Sequence, residues 1–293
     1  MHLLQVLLSG LMIGGIYALI SMGLTIIFGV VRIINFAHGE FLMLAMYLVY
    51  WLNNLAGVDP YVSIIVTVPV FFLMGVLTQR IIIQPIQEAP ATTKIFSTLG
   101  LGLIFANFAL MVWKADFRAV KISYSTSVIN IGGLSLSLSR FVAFCAALLV
   151  AILIFQFLNK TDIGKQIRAV SQHRQAALLM GIDVKKIYML AFGIGTALVG
   201  LAGSLLMPMY YVFPSIGALF SLVAFVVVVL GGLGNMYGAF VGGLIIGLIE
   251  ALAGAYVGSD LKEVVYFVIF ILMLLLKPSG LFSLGRGSEE VGL

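Results

Sequence analysis

Charge is what this chain has least of. Its 293 residues include 16 Lys and Arg and 11 Asp and Glu, 9% in all, too little polar surface to clothe a water-soluble globule of this size. With 62% hydrophobic residues and a mean hydropathy of +1.19, the composition describes an integral membrane protein. Cysteine is nearly absent: Cys145, inside an apolar run, allows no intrachain disulfide and no thiolate metal cluster. The three histidines, His2, His38 and His173, stand far apart without HExxH or similar spacing, so no metal site is expected. No GxSxG, no paired intramembrane aspartates and no Walker GxxxxGKS or GxxxxGKT sequence occurs. No catalytic residue is therefore assigned, and an ATPase would have to be another chain. Outside one loop no basic stripe is interleaved with aromatics, so the net charge of +5 does not point to nucleic acid; a positive-inside bias accounts for it. The apolar run from Leu3 to Val31 lacks a basic n-region and an Ala-x-Ala-like site, and is expected to persist as a span.

What is present is a series of apolar segments at about 3–31, 40–56, 61–79, 96–113, 141–158, 187–207, 218–233, 237–257 and 263–277. About 20 such residues cross a hydrocarbon core as a helix. The runs are too long for barrel strands and lack their period-2 alternation, so the expected fold is all-α and polytopic, with eight to nine transmembrane helices. Nine crossings with the amino terminus outside put eleven Lys and Arg on the inner side, Arg286 among them, and five on the outer side. The 29-residue first run contains polar residues and could include a broken or re-entrant piece, so eight spans with the amino terminus inside also fit. Residues 114–140 form the expected external loop, a surface connector or a contact for an external partner. Its end, with Gly132-Gly133 and strict Leu/Ser alternation from Leu134 to Ser139, predicts a short β-hairpin. Small residues four apart, Gly10/Gly14, Gly238/Gly242, Gly243/Gly247 and Gly254/Gly258, predict close helix packing.

Four features break the apolar pattern. The largest is Asn159–Lys186, which holds eight charged residues, Lys160, Asp162, Lys165, Arg168, Arg174, Asp183, Lys185 and Lys186; the positive-inside count makes it cytoplasmic. Asn35, Phe36, His38, Gly39 and Glu40 follow the first span directly, with Asn35 or His38 as a helix cap. Polar groups at bilayer depth are costly and mark a pathway or a helix break, although a plain cytoplasmic turn would need no function. Gly231, Gly232 and Gly234, with Asn235 and Gly238, do not fit GxGxxG and predict a tight turn or broken helix loosely mirroring the first break. Glu250 is the one acid well inside an expected span, either hydrogen-bonded between helices or part of a pathway.

Within the charged loop, Gln175-Ala176-Ala177-Leu178-Leu179-Met180-Gly181 resembles the Glu-Ala-Ala-x-x-x-Gly signature of bacterial ABC importer permeases. Gln175 replaces the usual Glu, and the following Ile-x-Leu-Pro is absent. With residues 35–40, Arg168-Ala169-Val170 and Val229-Leu230-Gly231-Gly232-Leu233-Gly234, the chain is similar nearly end to end to permeases of the branched-chain amino acid ABC importer family, LivH type. The resemblance implies a single permease domain over residues 1–293 in a bacterial cytoplasmic (inner) membrane. It also implies a heterodimer with a second, related permease, two cytoplasmic ATPases that bind the ATP and Mg, and a periplasmic or extracellular substrate-binding protein. This chain itself would hold no cofactor. Coupling to the ATPase would fall to Arg168, Gln175, Ala176, Ala177 and Gly181. A helix from about Thr161 to Met180, closed by Gly181, would set Arg168 and Gln175 two turns apart on one face, with Ala176 and Ala177 keeping the surface low. Asn35, Phe36, His38, Gly39, Glu40, Gly231, Gly232, Gly234 and Glu250 would border the translocation route. Urea or short-amide permeases share the motifs; a stand-alone secondary transporter or channel is the reading from a different class.

Overall fold

The computed structural model describes residues 2–131, 133–258, 261–277 and 279–282. In chain order the elements are α1 (His2–Val31), α2 (His38–Ala56), α3 (Ile64–Thr78), α4 (Ala91–Trp113), β1 (Val128–Ile131), β2 (Leu134–Ser137), α5 (Leu138–Lys160), α6 (Asp162–Gln172), α7 (Arg174–Leu179), α8 (Val184–Leu206), α9 (Ile216–Gly231), α10 (Met236–Tyr256) and α11 (Lys262–Leu276). The all-α expectation holds, for the physical reason that a helix satisfies its backbone polar groups within the segment. Among the described residues six stretches are long and apolar enough to cross a membrane: Leu3–Val31, Ile64–Ile86, Ala91–Trp113, Leu138–Lys160, Val184–Leu206 and Met236–Tyr256. Length and composition thus identify six candidate crossings among the described residues, and the expected eight to nine do not follow from them. The three other apolar helices, α2, α9 and α11, have 19, 16 and 15 residues. Helix α3 runs on through a π-helical stretch, Gln79–Ile83, into a 3-10 turn, Gln84–Ile86, so Arg80 lies within a helix instead of the loop expected after residue 79.

Helix α1 is apolar on every side and is enclosed by α5, α8, α9 and α10, as such a helix must be. Against α10 the two backbones meet directly. A Cβ on Gly10 would lie 2.8 Å from Ala251 Cβ, and one on Gly14 2.8 Å from Leu244 Cα. Gly243 and Gly247 face them from α10, and Gly238 and Gly242 serve α9 in the same way. Gly254 and Gly258 do not: added Cβ atoms there would meet nothing within 4 Å, so this pair makes no close helix contact. Between α3 and α8, Thr67 Oγ1 and Ser204 Oγ share a buried hydrogen bond of 2.9 Å, and Thr196 Oγ1 donates to Phe71 O at 2.8 Å. Such bonds are the polar contribution to helix association in lipid.

Residues 35–40, after α1, are buried or half-buried and do not form an exposed turn. Arg32, exposed and in the left-handed region at φ 59°, reverses the backbone, and residues 33–37 then run back along α1 inside the protein. His38 Nε2 stands 3.0 Å from the Ile20 carbonyl oxygen. Ile20 is eleven residues before the end of α1, about 16 Å along its axis at ~1.5 Å per residue. Helix α2 therefore begins within the bundle, part-way back along α1. Neither Asn35 nor His38 caps it: the N-cap is Ala37, whose backbone N–H donates to Asn35 Oδ1 at 3.2 Å.

The hairpin forms as expected, with Ile131 paired to Leu134 and Val128 to Ser137. Its strand stops at Ser137 rather than Ser139 because Leu138 opens α5. Gly133 takes φ +84°. Gly132 and Arg286 lie outside the described residues.

Candidate functional site

The buried break from Asn35 to Glu40 is held between α9 and α4. Gly39 N donates to Ser221 Oγ at 2.9 Å, and Ser221 Oγ donates to Phe36 O at 3.4 Å. Phe36 stacks on Phe225 with ring centroids 6.1 Å apart, and Thr98 Oγ1 of α4 donates to Ile34 O at 3.1 Å. Glu40 is only 7% exposed, and its side chain reaches between Gly217 of α9 and Gly102 of α4, where glycine leaves the room. Asn35 Nδ2, His38 Nδ1 and Glu40 Oε2 are all buried without a hydrogen-bond partner. Unpaired buried polar atoms cost about 1–3 kcal/mol each, so three within six residues make this stretch a candidate functional position. Beside the break, α9 turns Ala218, Leu219 and Leu222 outward, and α4 exposes Leu99, Leu103 and Ile104.

The glycine-rich break lies elsewhere. Gly231 ends α9 against Gly238, Gly232 and Gly234 take φ +99° and +81°, and Asn235 Oδ1 caps α10 by accepting from Gly238 N at 3.1 Å. A Cβ on Gly29 would be 3.3 Å from Gly234 Cα, which puts this turn beside the end of α1 where α6 lies. The C-terminal segment closes over it through Leu281 N to Leu230 O at 2.8 Å. Gly231, Gly232 and Gly234 form a tight turn beside the end of α1, whereas His38 lies part-way along it.

Glu250 is not isolated. Oε2 accepts from Tyr17 OH at 2.5 Å and Oε1 from Lys262 Nζ at 2.8 Å, joining α1, α10 and α11. Sequence reasoning missed both partners. The available signal was a base twelve residues beyond an acid, across a turn, counted only as an outer-side charge.

The charged loop is two helices where one was expected. Thr161 Oγ1 caps α6 by accepting from Gly164 N at 3.0 Å, and buried Gly164, Ile167 and Val170 recur at three-residue spacing on one face. His173, in extended conformation, ends α6 and caps α7 through Nδ1, which accepts from Ala176 N at 3.3 Å. Arg168 and Gln175 thus belong to different helices, and Arg168 Nη1 donates to Asn159 Oδ1 at 2.7 Å. Gly181, φ +78°, closes α7, with Ile182 N donating to Ala177 O. Ala177 faces inward, buried, so it cannot lie on a docking surface; Gln175 and Ala176 are exposed. Leu178, Leu179 and Met180 are the outward apolar tip, Leu179 at 89% exposure. Ties from this loop reach the bundle: Arg32 Nη2 donates to Ser171 O at 3.0 Å, and Arg174 Nη2 to Glu88 Oε1 at 2.5 Å.

That bonded guanidinium holds the Glu88 carboxyl below its ordinary 4.5. A folded-state pKa below the unfolded one gives stability that is present above pH 4.5 and lost as pH falls through the depressed value. The pair is largely exposed, so about 0.2–1 kcal/mol is at stake. Hydrogen-exchange protection of α7 in the assembled protein is expected to fall modestly below about pH 4.5. Glu88→Gln should give the weaker protection at both pH values; the same acid-induced drop in the variant would mean that another group holds α7.

A polytopic helical bundle with a buried polar break, no metal-binding cluster among the described residues and a basic loop tipped with exposed apolar residues has the form of a membrane permease subunit. The chain belongs to the family described as branched-chain amino acid transport system / permease component, which matches residues 6–275. It is a transport component and not an enzyme. It is 31% identical to the high-affinity branched-chain amino acid transport system permease protein BraD of Pseudomonas aeruginosa, over 99% of this chain and 98% of that one. Identity to LivH of Escherichia coli, a protein of the same description, is 30% with the same coverage. A probable branched-chain amino acid transport permease, LivM of Methanocaldococcus jannaschii, is 25% identical over 95% of this chain and 83% of its own length. No solved structure matches.

Proposed function

We propose that this chain forms half of the translocation pathway of an ATP-driven importer for branched-chain or related amino acids. The other half is a second, related permease; that LivH-type and LivM-type relatives both align along nearly the whole chain supports such a pair. Residues 1–293 act as one transmembrane permease domain in the bacterial cytoplasmic membrane. Two cytoplasmic ATPases hold the ATP and Mg, and a periplasmic or extracellular binding protein delivers the amino acid.

The observation that carries this reading is the loop geometry. An apolar tip of Leu178, Leu179 and Met180 projects from a basic loop, and Arg174 and Arg32 tie that loop to the α3–α4 connection and to the end of α1. A partner that grips the tip therefore moves the bundle. Exposed Arg168, Gln175 and Ala176 frame the tip, Ala177 anchors it from inside, and Gly181 ends it. Arg32 also turns the chain into the buried break, so the same motion reaches Asn35, Phe36, His38, Gly39 and Glu40, which border the route. The polar atoms left unpaired there suit transient contact with a zwitterion. Gly231, Gly232 and Gly234 act at the inner mouth, and Glu250 on the outer side.

The test is co-purification of this chain with a second permease and two ATPase chains, followed by reconstitution with the binding protein. ATPase activity stimulated by leucine, and not by urea or a short amide, is the expected result. Uptake by this chain alone, without ATP, would overturn the proposal.

A further inference from the structure

On the side of the bundle away from α6 and α7, α1, α9, α10 and α11 surround a cavity of about 200 Å³. Its buried charged wall is the Glu250–Lys262 pair at 2.8 Å, with Tyr17 OH on the other carboxylate oxygen, while a further acid, Glu263, lines it from an exposed, solvated position. Its apolar wall is aromatic: Phe220 meets Tyr17 and Tyr210 edge to face, with centroids 6.3 and 5.7 Å apart, and Tyr266 and Phe213 complete it.

Resting on the permease reading above, we infer that this cavity receives one zwitterionic α-amino acid with an apolar side chain before it passes to the buried break. The volume suits a small ligand, below the roughly 300–1,000 Å³ of pockets for drug-sized ones. Charge selects the zwitterion. An α-amino acid carries its ammonium and carboxylate on one carbon, and the cavity wall offers adjacent charges of opposite sign. Laid head to tail on that pair, the ligand brings its ammonium to Glu250 and its carboxylate to Lys262, so none of the four charges is left buried and unpaired. A plain amine or a plain carboxylate would leave one. The aromatic wall takes the side chain, and its ring faces favour the ammonium.

The placement also connects the two sites. On α9, Ile216, Leu219, Phe220 and Val223 line the cavity, while Gly217 and Ser221 touch Glu40 and Gly39. One helix, α9, thus carries residues of both sites, and its edge of Ala218, Leu219 and Leu222 between them is exposed.

Tyr211, 60% exposed, stands at the rim of the cavity. The experiment uses the transporter assembled with its partner chains in proteoliposomes, without ATP and without binding protein. Cys145→Ser removes the one native thiol, and Tyr211→Cys is labelled with an impermeant maleimide from outside. Leucine at twice a millimolar Kd is expected to slow labelling about threefold, with no effect from isovalerate or isopentylamine. Adding Glu250→Gln with Lys262→Met should abolish the protection; should that variant fail to assemble, discrimination among the three compounds still decides. Equal protection by all three, or none by leucine at a labelled thiol, overturns the inference. ATP-driven leucine uptake by the same vesicles without protection overturns the cavity while the permease reading stands; loss of uptake counts against that reading instead.

Discussion

Aspartates in place of Leu179 and Met180 should reduce ATP-driven uptake by about 30-fold or more while leaving the protein in the membrane and its melting temperature unchanged. Both side chains are more than four-fifths exposed, so removing them costs the fold almost nothing. At the centre of an interface, apolar anchors of this kind contribute about 2 kcal/mol or more, and ~1.4 kcal/mol is tenfold in affinity. The same substitution should lower the amount of ATPase chain that co-purifies. Normal uptake and normal recovery of the ATPase would show that the tip docks nothing. Gly181→Glu is the weaker probe. At φ +78° any L side chain is strained, and an uncoupled Gly181 variant could not separate a lost contact from a distorted cap. Ala177 is unsuitable for a different reason: it is buried, and a bulky residue there disturbs the loop before it disturbs a partner.

A single methyl group at Gly39 should be nearly as damaging. A Cβ there runs into the Gly217 carbonyl oxygen and stands 2.5 Å from Ser221 Oγ and 2.7 Å from Ser221 N. Backbone cannot swing aside as a side chain can, so α2 and α9 must separate, breaking the Gly39–Ser221 hydrogen bond. Overpacking on this scale costs about 1–3 kcal/mol or more. Gly39→Ala is expected to lower the melting temperature of the purified complex by several degrees, as ~1 kcal/mol is worth about 2–4 °C at this size, and to abolish uptake. Gly254→Ala is the matched control, for its Cβ would enter open space and a helical glycine replaced by alanine gains up to about 1 kcal/mol. Gly39→Ala with wild-type melting and uptake would refute the tight α2–α9 contact.

The elements that followed from local pattern were legible. Apolar runs located the helices to within a few residues because hydrocarbon leaves a spanning segment no other conformation. The hairpin followed from period-2 alternation beside glycines, and the charged loop from its density of Lys and Arg. Residues 35–40 stood out as polar, but their depth did not. It depends on Arg32 adopting positive φ and on Ser221, 185 residues from Phe36, donating to the returning chain at Phe36 O. Glu250 stood out as an acid, but its ion pair with Lys262 and its hydrogen bond from Tyr17 depend on how α10 and α11 meet α1. In the loop, the helix break at His173 was invisible because Gln, His, Arg and Ala are all compatible with a continuous helix. A side-chain cap by His173 made the interruption stable.

By itself, then, the chain's order of apolar and charged residues determined a membrane-embedded helical bundle with its basic loop on one face, since transfer free energy acts residue by residue along the sequence. Tertiary structure alone decided which polar groups share a depth, which are paired and which are left open. Those are distances between segments far apart in the chain, set by glycine-to-glycine contact and by where the backbone turns.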